Sequence, residues 1–374
     1  MKKILIVFGT RPEAIKMCPL VLELRRHPSF ASVVCVTGQH RQMLDQVLDF
    51  FKIIPDYDLS IMEKKQTLFD ITTKVINGMH TIYELERPDA VLVHGDTPTT
   101  FAAALAAFYM KIPLGHVEAG LRTHDIYAPF PEEFNRQAAG LIAKWHFAPT
   151  ITAMNNLLSE GKEPNTVFVT GNTVIDALKF TTRAGFTDET LAWAKDSRMV
   201  LLTAHRRENW GMPLRNVFRG VRRAVEKLPD AKVVFPIHQN PIVREDAQVL
   251  AGCPNIRIIE PVDVLTFHNY IAQCHMILTD SGGIQEEASA FGKPVLVLRD
   301  VTERPEGVDA GTLKLIGTSE QAVYENFLCL MTDLEEYERM SRAASPYGDG
   351  HACEHIARIL SGGLEGPAGP SSVF

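Results

Sequence analysis

The chain has 374 residues, of which 45% are apolar and 22% charged, with a formal net charge of −7. That length favours two domains over one, and the apolar share supports sizeable cores. The negative balance argues against a nucleic-acid partner, so any bound phosphate has to be met by local positive charge. The six cysteines, Cys18, Cys35, Cys253, Cys274, Cys329 and Cys353, are scattered and form no CxxC pair. This points to reduced thiols in a cytoplasmic protein, not to disulfides or a metal site. No signal peptide is expected ahead of the first strand, and no apolar run is long enough to span a membrane.

In chain order, Ile4–Phe8 reads as a buried strand, broken by Gly9-Thr10-Arg11-Pro12-Glu13 before a helix from about Ala14 to Arg26. Proline suits a first helical turn, where its missing N–H would be unpaired anyway. Arg11 and Lys16 therefore fall near the carboxyl edge of the first strand, where open α/β sheets bind ligands. Ser32–Thr37 is a second strand, followed by Gly38-Gln39-His40-Arg41 and a helix through Phe51. Thr67–Glu86 carries the pattern of a long amphipathic helix. Ala90–Val93 and Leu114–Val117 are strands that end in His94-Gly95-Asp96-Thr97 and Glu118-Ala119-Gly120. Asp96 and Glu118 thus occupy equivalent strand tips, positioned to converge on one ligand. Pro131-Glu132-Glu133 opens a helix bearing Asn135 and Arg136, and by itself is an ordinary helix start.

Val167–Thr170 closes the first half, with a boundary expected at Gly171-Asn172-Thr173. The pattern then begins again. Met199–Thr203 is a strand tipped by Ala204-His205-Arg206, and Val233–Ile237 ends in His238-Gln239-Asn240. Ile256–Ile259, Met276–Leu278 and Val295–Leu298 add further strands, and a helix from about His351 to Leu360 follows. After Met276–Leu278 comes Asp280-Ser281-Gly282-Gly283 at the start of a helix. A glycine pair lets backbone approach a ligand, and the free N–H groups of a first helical turn suit a phosphate. Glu286 and Glu287 repel a phosphate, so at least one of them is expected to hold a neutral group such as ribose hydroxyls. The alternation of strand and helix implies an α/β fold with two doubly wound halves. No GxGxxG follows any strand, so no dinucleotide cofactor is expected.

In order, GTRPEAIKM, VLVHGDT, GHVEAGLRT, PFPEEFNR, FVTGNTVIDAL, AHRREN, LTDSGGIQEEA and GKPVLVLRDVTERPEG resemble the non-hydrolysing UDP-N-acetylglucosamine 2-epimerases of bacteria. The resemblance runs from residue 2 to about residue 360. It implies two Rossmann-like domains facing each other across a cleft, the GT-B-type architecture of many glycosyltransferases. The expected division is 1–171 and 172–350, with a C-terminal helix at about 351–361 rejoining the first domain and a disordered tail at 362–374. It also implies a cytoplasmic homodimer that interconverts UDP-GlcNAc and UDP-ManNAc for cell-surface polysaccharide, without cofactor or metal.

Residue by residue, the resemblance makes Asp96, Glu118, Glu132 and His205 catalytic. It lines the substrate site with Arg11, Lys16, Ser281, Gly282, Gly283, Glu287 and Arg304, and sets Phe267 near the uracil. A second, activating UDP-GlcNAc would touch Gln39, Gln42, Gln66, Arg206, Glu208 and His238. The chain departs from the family at Lys65, where some relatives have arginine, and at Pro98, Ser289 and Val262. The chemistry asks for these residue types. C2 of the sugar has no adjacent carbonyl, so its proton becomes acidic only as the C1–O bond to UDP breaks. Elimination to 2-acetamidoglucal needs cations around the leaving diphosphate and carboxylates at the ring. A UDP-sugar glycosyltransferase, a hydrolysing relative releasing ManNAc, and a non-catalytic sensor are the competing readings. The first leaves three carboxylates unexplained.

Overall fold

The computed structural model describes residues 1–38, 41–63 and 66–365, with Arg41, Gln42, Met43 and Glu365 described by backbone alone. The candidate activator residue Gln39, the side chain of Gln42, and Lys65 therefore lie outside the described residues.

Seven strands form the first sheet: β1 (Lys2–Phe8), β2 (Phe30–Val36), β3 (Tyr57–Asp58), β4 (Ala90–His94), β5 (Leu114–Val117), β6 (Trp145–Ala148) and β7 (Val167–Val169). Six form the second: β8 (Arg198–Thr203), β9 (Ala231–Pro236), β10 (Ile256–Ile259), β11 (Met276–Thr279), β12 (Val295–Val297) and β13 (Leu313–Leu315). Their orders are β3-β2-β1-β4-β5-β6-β7 and β10-β9-β8-β11-β12-β13. The central pairs β1–β4 and β8–β11 run parallel, as do their neighbours. These are doubly wound sheets, and winding reverses direction at β1/β4 in one and β8/β11 in the other.

The reason lies in the apolar runs. Ile4 to Phe8 and Met276 to Leu278 are wholly inaccessible to solvent, so these strands are covered on both faces by helices. The helix Met212–Lys227 does this in the second sheet, burying Leu214, Val217, Phe218, Val221 and Val225. Three strands, β3, β6 and β13, have no counterpart in the sequence expectation. β3 has two residues and β13 three, too few to show a pattern, and β6 reads Trp-His-Phe-Ala, without a continuous aliphatic run.

The chain divides into two compact units, residues 1–177 together with the chain from Gly348 onward, and Leu178–Tyr347. The division falls inside the helix Thr173–Thr181. At the return, Gly348 has φ +102, and a β-carbon there would lie 2.9 Å from Gly171 Cα. Only glycine allows the two chain segments to cross so closely. The Asp176 carboxylate then accepts from the N–H groups of Ala352 and Cys353 at 3.1 and 2.9 Å, which caps the last helix and anchors it to the first unit. That helix, Ala352–Glu365, corrects the expected start of a tail at residue 362. Gly363 lies so close to the Trp145 indole that a β-carbon would sit 2.8 Å from Nε1, so the final turn is packed against the sheet.

Candidate active site

In the first unit the functional groups collect where winding reverses. Gly9 leaves β1 against Thr37, whose Oγ1 would lie 2.0 Å from a β-carbon at that position. Thr10 then caps the helix Arg11–Arg26 in a capping box with Glu13. Arg11 is the first helical residue, half-buried, with no side-chain partner among the described residues. One turn further, Lys16 Nζ contacts Glu118 Oε1 across from the tip of β5, and both side chains are largely buried.

Glu118 has φ +63, a left-handed conformation that costs a non-glycine residue about 1–3 kcal/mol unless its surroundings hold it. They do hold it. Asn172 Nδ2 donates to Oε1 at 3.1 Å, and His94 Nε2 lies 3.7 Å from Oε2. Burial pushes the His94 and His116 imidazoles down to about 4 and His146 to about 3. These three rings, on β4, β5 and β6, are therefore neutral near pH 7. His116 Nε2 donates to the Gly95 carbonyl at 2.7 Å, which shapes the turn leading to Asp96.

Asp96 is held differently. Arg136 Nη2 lies 2.8 Å from its Oδ2, and Asn135 Nδ2 donates to its backbone carbonyl at 2.9 Å. Desolvation raises its carboxyl to about 6, with the neighbouring charges of Glu118 and Glu132 adding to the rise and Arg136 opposing it. Glu132 opens the helix Glu132–Ile142 and is near enough for its charge to act on Asp96. Asp96, Glu118 and Lys16 thus form one cluster with Glu132 at its margin. Among the described residues no group of three or more histidine, cysteine or acidic side chains has metal-binding geometry.

The second unit repeats the plan with different chemistry. Asp280, fully buried at the tip of β11, accepts from the His205 N–H at 2.9 Å and the Arg206 N–H at 2.9 Å. His205 Nδ1 lies 3.1 Å from Asp280 Oδ1, which leaves Nε2 as the ring nitrogen available to a ligand. The hydrogen bonds from His205 and Arg206 outweigh burial and hold the Asp280 carboxyl below its ordinary range. His238 stacks on His205 with ring centroids 5.7 Å apart. Ser281 precedes the helix Gly282–Ala290 without a side-chain cap, so the first-turn N–H groups are open to a ligand.

Arg304 lies over this loop, its guanidinium 3.8 Å from where a β-carbon of Gly282 would be. Its Nε contacts the buried Glu286. Of the acid pair one turn into the helix, Glu286 is accordingly an anchor for Arg304. Glu287, 3.6 Å from the buried His268 Nε2, is the member left for hydroxyl groups. Phe267 packs on the apolar core beneath the helix Val264–Gln273. Glu208 pairs with Arg299 at 2.7 Å, which ties the turn after β8 to the turn after β12. In the first unit Gln66 accepts from the Glu63 N–H at 2.6 Å.

Sequence reasoning did not single out Glu13, Arg136, Asn172 or Asp280, which hold the proposed groups in place. Threonine-x-x-glutamate spacing at Thr10 and Glu13 was a legible signal for one of them. The others act through contacts distant in sequence, which spacing does not encode.

Two all-parallel, doubly wound units, with a glycine pair opening a helix beside cations in one and clustered carboxylates in the other, define an α/β protein of the nucleotide-sugar-handling class. The UDP-N-acetylglucosamine 2-epimerase family model matches residues 22–361, and the chain belongs to that family. The UDP-N-acetylglucosamine 2-epimerase of Bacillus subtilis is 56% identical over 359 residues, covering 96% of this chain and 94% of the relative. A solved UDP-N-acetylglucosamine 2-epimerase is similar over the full length of both chains at 53% identity and a TM-score of 0.91. The Neisseria meningitidis UDP-GlcNAc 2-epimerase, solved bound to UDP-GlcNAc, is 49% identical with a TM-score of 0.87, covering 96% of this chain and 99% of that one.

The raised Asp96 carboxyl has a definite pH signature. The native state binds this proton more tightly than the unfolded chain does. Stability contributed by the group is therefore present below the ordinary aspartate range and is lost as pH rises through about 6. In a carbon-13 titration the Asp96 carboxyl should move near pH 6, and in Arg136→Gln it should move at higher pH, because an opposing positive charge is gone. An Asp96 signal that titrates at the same pH in both proteins would separate Arg136 from the electrostatics of the site.

Proposed function

We propose that the chain catalyses reversible 2-epimerisation of UDP-GlcNAc and UDP-ManNAc, by elimination of UDP to 2-acetamidoglucal, protonation of C2 from the opposite face and return of UDP to C1. The observation that carries the mechanism is the pairing of two carboxylates on adjacent strand tips in unlike settings. Asp96 is raised to about 6, while Glu118 is clasped by Lys16 and Asn172. A group titrating near working pH is suited to give and take protons, which is what removal and return of the C2 proton demand. Family membership supports the substrate, and the three carboxylates give the reaction its acid–base groups.

In this reading Arg11, Arg304, His205 Nε2 and the N–H groups of Gly282 and Gly283 stabilise the departing diphosphate, the Ser281 N–H being held by the Thr279 hydroxyl at 2.9 Å. Loss of UDP leaves oxocarbenium character at C1, which acidifies C2–H. Among Asp96, Glu118 and Glu132 one carboxylate takes that proton, giving the C1=C2 double bond, and another returns a proton from the other side. Glu287 receives the ribose hydroxyls, Phe267 lies near the uracil, and Lys16 keeps Glu118 oriented. The product's N-acetylmannosamine unit suits cell-surface polysaccharide assembly in the cytoplasm, where free thiols such as the buried Cys18, Cys35, Cys253, Cys274 and Cys353 persist.

Incubation in D₂O should place deuterium at C2 of both epimers, without added NAD. Asp96→Asn, Glu118→Gln and Glu132→Gln should each lower turnover by roughly 10²–10⁴-fold while UDP still binds by calorimetry. Complete retention of hydrogen at C2, read by mass spectrometry, overturns the elimination route.

We assign Arg206, Glu208 and His238 to an activating second UDP-GlcNAc, since His238 stacks directly on the substrate-facing His205. UDP-ManNAc alone should then be converted with a lag that a trace of UDP-GlcNAc abolishes. Conversion that begins at full rate removes the regulatory role.

A homodimer is the assembly we infer. The successive helices Leu68–Glu86, Pro98–Tyr109 and Glu132–Ile142 leave Phe69, Phe108, Tyr109, Phe134 and Leu141 exposed, several of them by more than half. Light scattering should give twice the chain mass, and Leu141→Glu should lower it. A monomer in the wild type contradicts this assembly.

A further inference from the structure

A carboxylate outside the reacting set bridges the two strand tips that carry Arg11 and Asp96. Glu13 is 2% exposed, and both its oxygens are engaged. Oε2 accepts from the N–H groups of Gly9 at 2.9 Å and Thr10 at 2.8 Å, on the turn after β1. Oε1 accepts from the hydroxyl of Thr97 at 2.7 Å, on the turn after β4, and Thr100 Oγ1 lies 3.3 Å away in the first turn of the helix that follows. Thr10 is the residue before Arg11, and Thr97 the residue after Asp96. One side chain therefore ties a diphosphate-binding cation to a proton-transferring carboxylate across the point where winding reverses.

We propose that Glu13 is a positioning residue for the epimerisation, setting the separation of Arg11 and Asp96. This rests on the reading of those two residues given above. A helix cap needs only the Thr10–Glu13 box, which Oε2 completes. The additional bond from the Thr97 hydroxyl reaches 84 residues along the chain and does nothing for the helix. It does define where the Asp96 turn stands. Thr100 gives its one hydroxyl proton to the His94 carbonyl at 2.5 Å, which pins the start of the next helix to the last residue of β4. Below this the Thr37 and Thr99 hydroxyls are bonded at 2.9 Å, so the floor beneath Gly9 is also closed. Burial raises the Glu13 carboxyl against the pull of its donors. The pocket therefore accepts a neutral group of the same shape, which makes glutamine the informative conservative change.

The test compares Glu13→Gln with Glu13→Ala in the full-length protein, with folding checked by circular dichroism. The glutamine carbonyl can take both N–H groups while its NH₂ meets the threonine oxygens, so turnover should stay within a few-fold of wild type. The alanine variant frees both tips, and a misplacement of about 1 Å is enough for a loss of roughly 10²-fold in kcat/KM. It should also bind UDP more weakly and shift the acid limb of the pH–rate profile, which a purely structural role would leave in place. Should Glu13→Ala fail to fold, Thr97→Val cuts the bridge to the Asp96 turn while leaving the Gly9 and Thr10 bonds in place; it also removes the Thr97 cap on the helix Pro98–Tyr109, so its folding is checked in the same way. It should lower kcat while leaving UDP affinity unchanged, and Thr97→Ser should restore kcat. Folded variants with unaltered kcat, UDP affinity and acid limb overturn the proposal. A wild-type protein that leaves UDP-GlcNAc unconverted overturns the functional reading instead.

Discussion

Covering a parallel sheet on both faces is the constraint from which the rest of this molecule follows. Strands such as Ile4–Phe8 and Met276–Leu278 carry no polar side chain because helices close over both of their surfaces. Charged groups are thereby confined to the ends of strands, and reversal of winding opens a gap between two tips where no helix intervenes. In each unit that gap is occupied by polar groups: the ionisable side chains of Lys16, Asp96 and Glu118 in one, and those of His205 and Asp280 with the Ser281–Gly283 backbone in the other.

Each gap is also bridged by a buried carboxylate that accepts backbone N–H groups. Glu13 takes those of its own tip after β1 and the Thr97 hydroxyl of the neighbouring one, and Asp280, after β11, takes the N–H groups of the neighbouring tip after β8. Backbone amides satisfied in this way do not need to find solvent, so the turns keep one shape in a crowded, partly dry environment. The two units differ in what the bridge serves. Asp280 faces the ring of His205 and sets which nitrogen is presented, whereas Glu13 touches neither Arg11 nor Asp96 and fixes their backbones.

The three positions where the resemblance leads one to expect other residues are each accommodated locally. Pro98 opens the helix Pro98–Tyr109 directly after the Thr97 cap, a position that needs no N–H. Ser289, inside the helix Gly282–Ala290, turns its hydroxyl to the Gln285 carbonyl at 2.8 Å and to Thr312 at 3.1 Å. Val262 packs with the partly buried apolar residues around β8 and β11 and supplies shape where a longer polar side chain would reach further.

The sequence alone was enough for the alternation of strand and helix, the two doubly wound halves, and the strand tips carrying Asp96, Glu118, His205 and Ser281. Apolar runs, glycine-rich turns and helix periodicity are local quantities, readable within a few residues. Local reading did not reach β3 and β13, which are too short to show a pattern, or β6, whose Trp-His-Phe run has no aliphatic signature. Nor did it reach the partners that give the site its chemistry. Arg136 on Asp96, Asn172 and Lys16 on Glu118, and Glu286 on Arg304 join residues 18 to 102 positions apart. Whether a carboxylate is held near 6, clasped by a cation or turned into an anchor depends on desolvation and on charges within a few ångströms. Those quantities exist only once distant segments are packed together, so the tertiary structure decided them.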